Sequence, residues 1–154
     1  TGEDTLSLHD ALPIYERLMV RLIAFALFAS DSLAFGKGLS DDEEPDLWQK
    51  DLTGAIELWI EVGLPDERVL RKASGRSNQV ALLMYGGRSA DIWWDQNSKA
   101  LLKLDNLTVI NLPETVELAN AATRNMNISC TIQDNEMLVT HDIGSFTLLP
   151  VKLK

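Results

Sequence analysis

The chain has 154 residues, of which 45% are hydrophobic, and it carries a formal net charge of −9. This length is typical of one domain with a full hydrophobic core, whereas the negative charge argues against a broad electrostatic contact with nucleic acid and does not exclude a local one. A single cysteine, Cys130, excludes an internal disulfide and a cysteine-based zinc cluster. The longest apolar run, residues 18–29, contains Arg21 and is too short to cross a bilayer, so we expect a cytoplasmic protein without a membrane span.

The first residues of the chain carry a pattern that is foreign to protein-coding sequence. Residues 5–14 read TLSLHDALPI, which back-translates to a widely used sequencing adapter read in frame. We therefore predict that residues 1–14 are adapter-derived and leave them out of the prediction of the fold. Residues 15–154 would then form a single domain whose native N-terminus is missing.

The segment YERLMVRLIAFALFAS predicts a helix over residues 15–30. It is apolar on nearly every side, which is typical of a helix packed deep in a core. Glu16 lies in its first turn, where an acidic side chain suits the helix dipole. Residues 31–40 are interpreted as a short strand bounded by glycines, and residues 41–51, DDEEPDLWQKD, as an acidic connector around Pro45.

The segment GAIELWIEVG, residues 54–63, predicts a strand because apolar residues alternate with Glu57, Trp59 and Glu61. We expect its apolar face to pack on the first helix. The opposite face, with two carboxylates around an indole, is either a solvated surface beneath a Trp lid or the floor of a site. A large indole is usually covered at least in part, which counts against the solvated alternative.

The rest of the chain alternates helices and strands before a final run of strands. The predicted elements are, in order, a helix over 64–75, a buried strand over 79–85, a helix capped by Ser89 that ends near residue 102, a strand over 107–112, a helix over 113–123 and a three-stranded meander with turns at 134–135 and 141–142. This order predicts an α/β (α+β) domain with a mixed β-sheet flanked by helices.

Charge is distributed unevenly between two neighbouring segments. Residues 31–61 contain nine acids and two bases, a net charge of −7, and residues 64–88 contain five bases and two acids, a net charge of +3. A metal-assisted phosphodiesterase needs this combination, since carboxylates hold Mg²⁺ and nearby bases neutralise the attacked phosphate. The alternative, a solvated acidic loop beside an ordinary basic helix face, is the commoner one and is favoured by the charge counts alone.

Several charged residues are candidates for a site. Glu57 and Glu61 are four residues apart on one strand, with about 13 Å between their Cα atoms, so Glu57 or Glu61 with an acid of the connector is a better pair than the two together. The candidate ligands of Mg²⁺ are Glu44, Asp46, Glu57 and Glu61. The candidate catalytic residues are Lys72 and Glu61, and the candidate nucleic-acid contacts are Arg68, Arg71, Arg76 and Arg88. A solvated side chain is the commoner alternative for each of these bases.

Other residues give weaker functional signals. Trp93 and Trp94 could stack on nucleic-acid bases, but Trp93 shares a helical stripe with Leu101 and Leu104, which favours a place in the core. His141 is predicted in a turn, and residues 15–154 contain no second His, which disfavours a His-based metal site or nucleophile.

Six blocks of the sequence resemble the YaeQ family of proteobacteria. They are EPDLW (44–48), IELWIEVGLPDE (56–67), RKA (71–73), VALLMYGGR (80–88), IWW (92–94) and CTIQD (130–134). The resemblance runs from about residue 15 to near the C-terminus and implies a restriction-endonuclease-like α/β roll, a variant of the PD-(D/E)xK fold. Members of the family ordinarily begin with a strand-rich segment, so the resemblance also implies that this chain lacks the N-terminal strands of the family.

The PD-(D/E)xK pattern requires an acid on one strand and, on the next strand, an acid and a Lys two residues apart. Pro45-Asp46 matches the first letters. The Lys is missing from the strand, because Trp59 follows Glu57 and Gly63 follows Glu61 at its position. In some relatives of the superfamily this Lys has moved to the following helix, and the resemblance then makes Lys72 the candidate.

Two functions follow from the resemblance and the charges. The first is a Mg²⁺-dependent nuclease or other phosphodiesterase of the PD-(D/E)xK superfamily. The second is a catalytically degenerate nuclease-fold module that binds a protein or nucleic-acid partner without cutting it. The missing Lys and the net charge of −9 favour the second function, and the basic segment after the acidic one favours the first. An α/β scaffold with a solvated acidic face is a third alternative.

Overall fold

The computed structural model of the protein describes residues 8–38, 43–113, 115, 129–141 and 144–154. Its elements, in chain order, are α1 (Leu8–Leu27), β1 (Leu33–Phe35), β2 (Leu47–Lys50), β3 (Ile56–Val62), α2 (Glu67–Arg76), β4 (Ser77–Tyr85), α3 (Arg88–Leu101), β5 (Leu107–Leu112), β6 (Ser129–Gln133), β7 (Glu136–His141), β8 (Gly144–Leu148) and β9 (Val151–Lys152). Among these residues, no helix is long and apolar enough to cross a membrane.

Six strands form a mixed main sheet in the order β1-β2-β3-β4-β5-β9. The β3–β4 and β4–β5 pairs are parallel, and the other pairs are antiparallel. β6, β7 and β8 form a separate antiparallel meander, as predicted, with Asp134 and Asn135 at the left-handed φ values of a tight hairpin turn. The predicted mixed α/β class, with a mixed sheet flanked by helices, is confirmed.

The two faces of the main sheet pack against different helices. On one face, Ile60 and Val62 of β3 join a core that includes Met19 of α1 and Met137 of the meander, so the predicted contact with the first helix is confirmed. On the other face, Trp59 is 1% exposed and packs in a second core with residues of α2 and α3. The solvated alternative for this face is therefore wrong at Trp59, because two helices cover that indole.

Several predicted boundaries differ from the observed ones. The segment interpreted as an acidic connector contains β2, because Leu47–Lys50 pair with β3. α1 begins at Leu8 and ends at Leu27, whereas the prediction was a helix over 15–30. The origin of residues 1–14 stays a prediction.

Two smaller predictions also need correction. The N-cap of α3 is Gly87 and no side chain caps this helix, so Ser89 is not the cap. His141 is the last residue of β7 and pairs with Gly144, so it does not lie in a turn. The helix predicted over 113–123 lies largely outside the described residues.

Candidate functional site

Asp46 and Glu61 face each other across the β2–β3 hairpin. The two strands are antiparallel with Leu47 opposite Ile60, so the residue before Leu47 stands opposite the residue after Ile60. The Asp46 carboxyl group lies close enough to that of Glu61 to raise its pKa. The exposed fraction is 0% for Asp46 and 7% for Glu61. The hairpin therefore buries two carboxyl groups side by side.

Both carboxylate oxygens of Asp46 already have donors. Arg17 Nη2 donates a hydrogen bond to Oδ1 at 2.6 Å, and the backbone N–H of Val62 donates to Oδ2 at 2.8 Å. Arg21 adds an ion-pair contact, with its Nε 3.3 Å from Oδ1. Two guanidinium groups of α1 thus offset the negative charge of a fully buried acid.

Arg17 also reaches the end of β3. Its Nη1 donates a hydrogen bond to the backbone oxygen of Val62 at 2.9 Å. The next residue, Gly63, has a φ of +101°, and a Cβ atom there would lie 3.2 Å from Arg17 Nη1. The guanidinium of Arg17 therefore fills the space beside residue 63.

Glu61 holds its carboxyl group in an environment that favours the protonated form. Burial raises its pKa from 4.5 to about 7, the nearby Asp46 carboxyl adds to the rise, and a hydrogen bond from Trp59 Nε1 at 2.9 Å and the charge of Arg17 oppose it. Burial likewise raises the pKa of Tyr85, whose ring lies beside Gly63. Near neutral pH, the protonated and ionised forms of Glu61 are therefore both populated.

Comparison of the whole sequence with known protein families shows which family the chain resembles. The sequence model of the YaeQ protein family matches residues 13–150. The chain belongs to the YaeQ family. The resemblance carried by the six sequence blocks is thereby confirmed.

The YaeQ relatives include curated proteins and solved structures. The Escherichia coli (strain K12) protein named "Uncharacterized protein YaeQ" is 39% identical over 140 residues, which are 90% of this chain and 77% of that protein. Its Salmonella typhi namesake is 40% identical over 132 residues, which are 84% of this chain and 72% of that protein.

Two crystal structures of YaeQ proteins share the fold. The structure from Xanthomonas axonopodis pv. citri has a TM-score of 0.85 and 47% identity, and it covers 90% of this chain and 80% of that one. The structure from Pseudomonas syringae has the same TM-score of 0.85 and 34% identity, with 91% and 78% covered.

The other acids predicted as metal ligands, Glu57 and Glu44, have partners other than Asp46 and Glu61. Glu57 is at the far end of β3, where its Oε2 accepts a hydrogen bond from Gln49 Nε2 at 2.6 Å. Glu44 lies 3.6 Å from Lys37. Within the described part of the chain, no three His, Cys, Asp or Glu side chains are grouped to hold a metal ion.

The predicted basic residues lie mostly on α2 and contact acidic partners. Lys72 Nζ is 2.8 Å and Arg76 Nη1 is 3.4 Å from the carboxylate of Glu43. Arg71 lies 3.4 Å from Glu67, one turn earlier on the helix. The other two predicted bases are exposed, at the start of α2 for Arg68 and of α3 for Arg88.

The two arginines that hold Asp46 in place were not among the site residues predicted from the sequence. Arg17 and Arg21 lie four residues apart, hence on one face of a helix that is otherwise largely apolar. That spacing was the available signal, because a charged side chain on a buried face needs an opposite charge or hydrogen-bond partners. It could not have named Asp46 as the partner.

The surroundings of Asp46 do not fit a Mg²⁺ ion, the metal that the PD-(D/E)xK pattern implies. Mg²⁺ demands near-octahedral oxygen ligation and usually keeps several waters. Asp46 is completely buried, and donors already engage both of its oxygens. A divalent cation would also meet the positive charges of Arg17 and Arg21 at this carboxylate.

Proposed function

We propose that this YaeQ-family protein is a nuclease-fold module that has lost metal-dependent cleavage and acts by binding a partner. One observation carries the proposal, the 2.6 Å ion pair between Arg17 and Asp46. In the PD-(D/E)xK pattern, the acid at this position helps to hold the catalytic metal. Here the same acid is occupied by a guanidinium group of the protein itself.

The charges favour a protein over a nucleic acid as the partner. Binding to a phosphate backbone requires bases that are available to neutralise phosphates. Lys72 and Arg76 both contact Glu43, and Arg71 contacts Glu67. The whole chain has a formal charge of −9, which repels a polyanion at long range.

A Mg²⁺-dependent phosphodiesterase is the second candidate, and one observation favours it. Asp46 and Glu61 stand opposite each other on the β2–β3 hairpin, the arrangement in which the PD-(D/E)xK pattern places its two acids. One observation counts against this candidate, because a metal would have to compete with Arg17 for the carboxylate of Asp46.

Titration calorimetry with Mg²⁺ and Mn²⁺ separates the two candidates. We would compare the full chain with Glu61→Gln and with Glu57→Gln, a matched control that removes the same charge from the far end of β3. A cleavage assay on single- and double-stranded oligonucleotides would run beside it. We expect no saturable metal binding and no cleavage. Metal-dependent cleavage that is lost in Glu61→Gln and kept in Glu57→Gln would establish the phosphodiesterase instead.

A further inference from the structure

We propose that the guanidinium group of Arg17 stands in for a divalent cation, and that its removal opens a metal site formed by Asp46, Glu61 and the backbone oxygen of Val62. This inference deepens the proposed function, because it gives the physical reason why the native chain would not bind metal. It also predicts that a variant without Arg17 gains metal binding, whereas the proposed loss of cleavage does not by itself predict such a gain.

Two oxygen-bearing groups contact Arg17, and the carboxyl group of Glu61 lies within reach of its charge. Its Nη2 lies 2.6 Å from Asp46 Oδ1 and its Nη1 lies 2.9 Å from the Val62 oxygen. Its charge also acts on the carboxyl group of Glu61. Two carboxylates and a backbone carbonyl are the hard oxygen ligands that Mg²⁺ and Mn²⁺ take in proteins. The guanidinium therefore makes two of the contacts that a cation bound by these groups would make, with Asp46 and with the Val62 oxygen.

Gly63 shows that the chain is built around this guanidinium. A side chain at residue 63 would start 3.2 Å from Arg17 Nη1, and the φ of +101° disfavours any residue with a Cβ atom. The positive charge beside the two acids thus comes from α1 rather than from β3. Lys72, the candidate for a displaced Lys, has its ammonium group 2.8 Å from Glu43 Oε1, on the exposed side of α2.

Arg21 provides a matched control on the same helix. It also lies against Asp46, but its Nη2 donates hydrogen bonds to the backbone oxygens of Gly36 and Asp46, whereas Arg17 bonds to the Val62 oxygen of β3. Removal of Arg21 would take away one positive charge and leave the Arg17 contacts in place. Comparison of the two substitutions therefore distinguishes an effect specific to the position of Arg17 from the general effect of losing one positive charge near Asp46.

The test is Mn²⁺ titration calorimetry on the full chain, Arg17→Met, Arg21→Met and the double variant Arg17→Met/Glu61→Gln. Removal of a unit charge from contact with the ligands should strengthen Mn²⁺ binding in Arg17→Met by about a hundredfold or more. We expect the parent and Arg21→Met to stay non-binding and the double variant to lose the gain. Saturable binding by the parent, or an equal gain in Arg21→Met, would overturn the inference.

Arg17→Met leaves a buried acid without its main partner and is expected to be less stable, so its thermal unfolding is followed with and without millimolar Mn²⁺. We expect Mn²⁺ to raise its unfolding temperature and to leave that of the parent unchanged. A variant that gains neither Mn²⁺ binding nor Mn²⁺-dependent stability contradicts the metal stand-in, yet leaves the proposed function intact. Metal-dependent cleavage by the parent contradicts the proposed function and the inference together.

Discussion

Asp46 is a buried carboxylate that the protein stabilises with two arginines and a backbone N–H group. Such a buried ion pair adds little net stability over well-packed apolar residues, but removal of one partner is costly because an uncompensated charge remains. The ion pair therefore favours a single arrangement of the elements that it joins. It joins the middle of α1 to the start of β2 and the end of β3 through a single carboxylate.

The raised pKa of Glu61 predicts how stability depends on pH. Its pKa is 4.5 ordinarily and about 7 in the folded protein, so the folded state holds a proton that the unfolded state releases between these values. The stabilising contribution is complete below the lower value and is lost as the pH rises through the upper one. The free energy of unfolding should fall by about 3 kcal/mol over this interval because of Glu61.

Glu61→Gln should remove this loss, since a Gln oxygen still accepts the hydrogen bond from Trp59 and carries no charge at any pH. Urea unfolding of both proteins at about pH 5 and about pH 8 measures the difference, and other carboxylates cancel in it. We expect the variant to gain stability relative to the parent as the pH rises. A difference that is the same at both pH values would show that Glu61 titrates normally.

At the scale of elements, periodicity predicted β3 and could not predict β2. The alternation over residues 56–62 marks a strand, whereas Leu47 and Trp48 are the only apolar residues between Glu43 and Asp51. β2 is a strand because it pairs with β3, and pairing is information that a local window does not contain. The same pairing places Asp46 opposite Glu61, so the site was only half visible in the sequence.

The face of β3 that carries Trp59 shows a second limit of local patterns. Alternation of Glu and Trp suggested a solvated face or a site floor. In the structure, β4 runs parallel to β3, and the crossover through α2 covers that face. Parallel strands are covered on both faces by their crossover helices. The pattern therefore predicted the strand correctly, and the topology decided which residues of it are buried.

The turn from β3 into α2 carries a prediction about Gly63. Gly63→Lys should destabilise the protein by about 2 kcal/mol or more, because the left-handed backbone disfavours a Cβ atom and Arg17 crowds it. Gly54→Lys is the matched control, since Gly54 also has a positive φ of +89° but has open space around it.

Urea unfolding of the two Gly variants separates backbone strain from the contact with Arg17. The control should lose only about 1 kcal/mol, the cost of the backbone conformation alone. Equal losses in the two variants would mean that Arg17 yields to the new side chain. A Gly63→Lys variant as stable as the parent would contradict the tight packing of Arg17 against β3.

At the scale of the whole molecule, part of the charge of the acidic and basic regions is paired in the folded protein. Glu43, which precedes β2, contacts two bases of α2, and α2 contributes Arg71–Glu67 within itself. Residues 31–61 carry a net charge of −7 and residues 64–88 a net charge of +3, which suggested an acidic site beside a basic one. Folding pairs part of these charges, so the segment totals overstate the charge that any partner meets.

This pairing predicts where a polyanion would bind if the protein accepted one. Glu43→Gln should strengthen binding to a single-stranded oligonucleotide, because Lys72 and Arg76 would lose their shared acid, and should steepen the log–log salt dependence by roughly one to two. Glu57→Gln removes the same charge beside Gln49 and serves as the control. Fluorescence anisotropy over a range of salt concentrations measures both. An equal change in the two variants would show that only the net charge of the molecule matters, and that α2 is not a contact surface for phosphate.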